Sequence, residues 1–192
     1  MHRRAVLGGV SLLVGGSLAG CTSDSAEETT PENTSQDDPP ATDPEGDRPD
    51  RSYDEELLGE LYDLAAEFRF QASQHFDDGR SHWEGADYRQ AMRRFTAAEE
   101  KFDASAAVLQ RLTTRLETEG LAGFNVADTA SRHVGHMHSA ARNYAQASVA
   151  AADGETTTAD SYRESAENAF QQADNYRFAD VSVFRDELGT SQ

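Results

Sequence analysis

The sequence predicts an all-α protein: an antiparallel four-helix bundle built from two similar helical hairpins, following a disordered N-terminal segment. Three observations carry this expectation. From residue 52 onward apolar side chains recur at three- and four-residue spacing, and the breaks between periodic stretches hold glycines beside capping residues. No stretch sustains the two-residue alternation of a strand. Residues 22–51, with ten acids, two arginines and no large apolar side chain, hold nothing from which a core could be made.

Ser52 with Glu55 forms a candidate capping box opening a first helix that is expected to run to about Trp83. Its stripe is Leu58, Leu61, Ala65, Phe68, Ala72, Phe76, Gly79 and Trp83. Gly85 and Ala86 supply a turn, and Asp87 with Gln90 can cap a second helix whose stripe is Tyr88, Ala91, Phe95, Ala98, Phe102, Leu109, Leu112 and Leu116. Gly120 and Gly123 mark the next break. A third helix, from about Asn125 to Ala152, carries Ala130, Val134, Met137, Ala141, Tyr144 and Ala151, small enough for a neighbouring backbone to come close. A fourth, from about Ala159 to Phe178, passes through Tyr162, Ala166, Phe170, Ala173 and Tyr176, and Val181–Leu188 adds a helical turn or two.

Ala91, Phe95 and Ala98 recur as Ala166, Phe170 and Ala173. With Gly79, Asp87 and Tyr88, the first copy has the spacing of small and aromatic residues that seats one helix on the next. Over about residues 72–105 the chain therefore resembles one tetratricopeptide-like helical hairpin, although His75 and Asp78 replace an aromatic residue and a leucine, and the second copy matches only the second helix. The resemblance implies an alternative architecture, a tetratricopeptide-like helical repeat. Helices of roughly thirty residues are about twice as long as that repeat uses, which favours the bundle.

Ahead of the helices, Arg3-Arg4 precede an apolar stretch from Ala5 to Leu18, and Leu18-Ala19-Gly20-Cys21 close it. That is the three-part layout of an export signal, too short and too rich in glycine for a helix across a hydrocarbon core of about 30 Å. Leu18, Ala19, Gly20 and Cys21 resemble a lipobox. The resemblance implies cleavage before Cys21, removal of residues 1–20, and a lipid on the Cys21 sulfur that holds the protein to the extracytoplasmic face of the cell membrane. Cys21 is the only cysteine, so no internal disulfide competes for it. Arg3 and Arg4, followed by Val6 and Leu7, resemble a twin-arginine address, with His2 in place of the usual hydroxyl residue. The expected organisation is a signal peptide (1–20), a lipidated cysteine with an acidic Ser/Thr/Pro linker (21–51), and a helical domain (52–192). A flexible linker of that length spans roughly 30 Å, at about 5–6 Å times the square root of its length.

Thirty-five acidic residues oppose seventeen basic ones, of which Lys101 is the only lysine, giving a net charge of −18. Such a charge works against a compact state at low salt, and the repulsion is largely removed at molar salt, where screening acts over about 3 Å. Together with the lipobox and the arginine pair, this composition resembles a lipoprotein exported by a halophilic archaeon. The charge argues against nucleic acid as a partner, because phosphate binding needs clustered basic residues, and only Arg89, Arg93 and Arg94 gather. Asn33-Thr34-Ser35 in the linker fits the N-glycosylation acceptor pattern.

The residues with chemistry to offer are histidines. His133 and His136 share a helix face, from which His138 points away, so these two are the candidate ligands of a metal ion, with carboxylates such as Glu60, Asp63 or Glu67 completing the set. His75 and His82 flank the stripe of the first helix. Trp83 and Tyr88, and Tyr176 and Phe178, are read as caps of the core or as a binding patch. Phosphate loops, zinc-protease pairs and nucleophile turns are not found, which makes catalysis the weaker expectation. The expected function is a membrane-anchored binding or scaffolding module for another cell-surface protein. The alternatives are a metal or cofactor carrier using His133 and His136, and an accessory subunit of a transporter or envelope enzyme.

Overall fold

A computed structural model describes residues 51–189, and all of the predicted helices are in it: α1 (Arg51–Glu84), α2 (Tyr88–Glu119), α3 (Phe124–Ala152), α4 (Thr156–Ala173) and the short α5 (Val181–Leu188). Among the described residues there is no strand. The predicted export signal, Cys21 and Asn33 lie outside them.

The boundaries follow local chemistry. Asp87 caps α2 by accepting a 3.4 Å hydrogen bond from the Gln90 amide. Gly120 ends α2 in the left-handed region at φ 63°. Ala86, in the turn between α1 and α2, holds φ 58° without being glycine, a conformation that costs a β-carbon about 1–2 kcal/mol. α4 departs from expectation at both ends. It starts three residues early, and it stops at Ala173 rather than Phe178, because residues 174–180 turn back toward α1 and Asp180 then caps α5 through the Ser182 amide.

Each helix packs along the next, α1 on α2, α2 on α3 and α3 on α4, and short turns make the neighbours antiparallel. This is the expected helical bundle. α4 and α1 lack the backbone proximity of consecutive pairs and meet through aromatic side chains instead. Phe76 of α1 is the meeting point: its ring lies 5.5 Å from Phe95, 5.7 Å from Tyr144 and 5.6 Å from Phe170. Phe95 and Phe170 are the two phenylalanines of the sequence repeat, so the repeat places both of its rings on one residue. Alanines flank them at zero exposure (Ala91, Ala98, Ala166, Ala173), letting the backbones approach and leaving the aromatic rings to fill the centre.

Three details of the core differ from the periodic pattern, the first on α4, where Tyr162 of the expected stripe is 37% exposed. Tyr62, not Leu61, is fully buried on α1, and Leu61 only borders the core. The reason is α5: Phe184 stacks on Tyr62 with centroids 4.3 Å apart, and so draws that side of α1 inward. The buried hydroxyl of Ser105 donates a 2.8 Å bond across the helix interface to the Ala65 carbonyl. Farther along α2, Arg115 joins Asp54 of α1 (2.9 Å) and Glu119 (3.0 Å), a half-exposed arrangement of the kind that contributes about 1 kcal/mol or less.

Candidate functional site

The histidine pair of α3 does come together with the end of α4. His133 is half-buried, and its Nδ1 lies 2.8 Å from the Tyr176 carbonyl and 3.1 Å from that of Ala173. Both neighbours can only accept, so Nδ1 carries the proton and donates. Burial holds the ring's pKa below the ordinary histidine value. One turn along, His136 stacks on Tyr176 with centroids 5.4 Å apart. His133 thus supplies a donor just past the end of α4, to the Tyr176 carbonyl and to that of Ala173, which also accepts from the Tyr176 amide at 3.0 Å.

The predicted carboxylates do not join them. Among the described residues no group of three or more His, Cys, Asp or Glu side chains lies close enough to hold a metal ion. His138 points away, as its helical position requires, with Nε2 3.8 Å from Glu99. His82 lies 3.8 Å from Asp87, and His75 is half-buried on α1.

Phe178 is the hub of the site. Its ring is 5.3 Å from the Tyr62 ring and 6.3 Å from the His133 ring, and the Arg69 guanidinium lies 5.3 Å from its centroid. Tyr62 donates a 3.0 Å hydrogen bond to the Ala179 carbonyl, and burial pushes its hydroxyl pKa far up. Four side chains from α1, α3 and the 174–180 segment thus converge. Arg132 borders them, bonded to Asp128 at 2.9 Å and lying 5.9 Å from the Tyr176 ring.

Arg69 is the member that sequence reasoning missed. Its Nε is shut off from solvent without a hydrogen-bond partner, the single such side-chain atom among the described residues. The signal available was its position, three residues from Ala72 and four from Ala65, which sets an arginine on the flank of the buried stripe.

Trp83 and Tyr88 form an edge-to-face pair at 5.1 Å, and Trp83 reaches Tyr144 at 6.1 Å, so these two close the core at the α1–α2 turn. Within the arginine group of α2, Arg94 lies 3.6 Å from Asp78. A shallow depression of about 490 Å³ runs along Gln110, Arg111, Thr114, Arg115, Thr118 and Glu119, all on one helix, so it cannot enclose a ligand. No helix among the described residues is long and apolar enough to cross a membrane. Comparison with protein-family models, curated proteins and solved structures finds no match.

Proposed function

We propose that this protein is a membrane-anchored extracytoplasmic lipoprotein displaying a helical module that binds or scaffolds another cell-surface protein. The observation that carries the reading is the order of parts. A lipobox ends in the only cysteine, an acidic linker follows, and a helical bundle begins where the linker stops. Lipid on Cys21 fixes one end, at about 0.8 kcal/mol per buried methylene, and two chains suffice for lasting attachment. The arginine pair directs export. The bundle is the part left to meet partners, and Phe70, 53% exposed, and Leu64, 45% exposed, offer apolar contact from α1.

Two experiments test this. Replacing Cys21 with Ser should release the protein from the membrane or leave its precursor uncut; unchanged retention would contradict the anchor. Crosslinking on intact cells in molar salt should recover one specific partner, and repeated recovery of none would remove the binding role.

A further inference from the structure

Three rows of side chains run along the outer face that α1 and α2 share. Leu57, Leu61, Leu64 and Phe68 stand at four-, three- and four-residue spacing on α1, the seam pattern of a coiled coil, and Leu64 is 45% exposed. One residue after the first three, Leu58, Tyr62 and Ala65 are buried in the core. One residue before each seam position, Glu56, Glu60, Asp63 and Glu67 therefore lie on the opposite flank, all exposed and with no base among them. α2 adjoins the seam on its other side, where the Lys101 ammonium lies 5.4 Å from the Phe68 ring centre and Arg115 pairs with Asp54. The α2 row there is Ala97, Lys101, Ala104, Val108, Arg111 and Arg115, which holds no acid. Lys101 and Arg111 make no ion pair with any described residue, and neither do Glu60 and Glu67.

From this arrangement we infer that the α1 seam docks a second copy of this chain, α1 beside α1 in parallel, about a twofold axis that runs along the helices. The order of charge fixes the orientation. A twofold along the helices turns the acidic flank of each copy onto the basic row of the other, whereas an axis across them would set acid on acid and base on base. The levels agree as well. Ser105 bonds to Ala65, and α2 runs antiparallel to α1, so Arg111, six residues beyond Ser105, lies level with the position before Glu60. Lys101 lies level with Phe68, the position after Glu67. A twofold adds no shift along its axis, so Glu60 meets Arg111 of the second copy and Glu67 meets its Lys101. The face is large enough: α1, at 34 residues, is about 50 Å long, and two helices each about 10 Å wide offer about 1,000 Å², against about 800 Å² per partner in a standard interface. Repulsion between two copies of net charge −18 is screened beyond about 3 Å at molar salt, while charges in contact still pair. Both chains start at the same end of such a pair, as two copies tethered to one membrane must. Phe70 lies beyond the acidic flank and stays open to the different partner of the display role, on which this inference does not depend.

Oxidative crosslinking of single-cysteine variants on intact cells in molar salt tests the pairing. Leu57→Cys and Leu64→Cys should each link to their own copy, because a twofold along α1 brings every seam position close to itself. Phe70→Cys, at a more exposed position than Leu64, should not link. The two seam positions are about 10 Å apart along the helix, so an antiparallel contact could link only one of them. Dimers at neither seam position, dimers at only one, or equal linking at Phe70→Cys would each overturn the inference. Sedimentation of the full-length protein in detergent at molar potassium chloride tests the charges. Glu67→Lys and Lys101→Glu should each weaken dimerisation about fivefold, since symmetry counts each change twice, and the two together should restore it. A double variant no tighter than either single one would overturn the parallel register.

Discussion

Gly79 lies directly under the ring of Phe95: a β-carbon at position 79 would sit 2.8 Å from Cδ1 and Cε1 of that ring. The ring cannot simply swing away, because it is stacked on Tyr144 at 4.8 Å and set edge-on to Phe76 at 5.5 Å. Alanine gains about 1 kcal/mol of helix propensity over glycine, whereas forced overpacking costs about 1–3 kcal/mol. Gly79→Ala should therefore lower stability by about 1 kcal/mol in denaturant unfolding at molar salt. In a Phe95→Leu background the same change should cost less, or stabilise. Equal costs in both backgrounds would show that the contact with Phe95 is not what fixes this residue.

Tyr62 makes stability depend on alkaline pH. Its hydroxyl is buried and its folded pKa lies above the ordinary value of 10.0, with burial the main cause. Tyr144 is raised too, again chiefly by burial. Above pH 10 the unfolded chain releases these protons while the folded chain keeps them, so stability present below pH 10 falls as pH rises. Tyr62→Phe should cost about 1 kcal/mol near neutral pH through the lost hydrogen bond, and should flatten the alkaline decline. An unchanged slope would assign the decline to other groups.

His133 has the opposite linkage. Burial holds its folded pKa below the ordinary 6.5, so the unfolded chain binds a proton first as pH falls. Its contribution is fully present above pH 6.5 and declines below it, down to the folded pKa. His133→Ala should lower stability at pH 7.5 by about 1–3 kcal/mol, because the Tyr176 carbonyl loses its donor while that of Ala173 keeps the Tyr176 amide, and should weaken the acid-side decline. NMR titration of the ring should give a midpoint below 6.5; a midpoint above it would contradict the burial account.

Ala86 tests the cost of the first turn. At φ 58° it sits where a β-carbon is strained, and glycine removes that strain while adding freedom to the unfolded chain. Ala86→Gly should raise stability by about 0.5–1 kcal/mol in the same unfolding assay. A loss would mean that the unfolded-state term dominates.

The helix ends at Gly85, Asp87 and Gly120 were legible in the sequence because the residues that set them act on their own backbone. The centre of the bundle was legible for a related reason: the repeated Ala-Phe-Ala pattern needs only its own periodicity to put Phe95 and Phe170 inward. Choices made by distant residues were not legible. Helical spacing admits either Leu61 or Tyr62 after Leu58, and the packing of Phe184 decides between them. α4 stops early because the segment after it carries Phe178 back to Tyr62, a relationship with no local signature. The shared face of His133 and His136 was readable, but their ring spacing suits a metal as well as it suits a helix end, and only the position of α4 shows which carbonyls are there. Arg69 was hidden because its peculiarity is a missing partner, which no pattern of residue types records.

α5 returns to the first part of α1, where Phe184 meets Tyr62 and the Arg185 side chain covers Gly59. At 1.5 Å per residue, Gly59 is about 12 Å from Arg51 along α1, so both ends of the described chain gather at one end of the bundle, opposite the turns at Ala86 and Gly154. Such a chain is topologically close to a ring. A circular permutant joined by a short glycine-serine bridge across that end, and reopened at Gly154, would keep every helix pair in place. Its new termini would emerge at the end of the bundle where the native chain turns at Ala86 and Gly154, opposite the end where the described chain begins and ends.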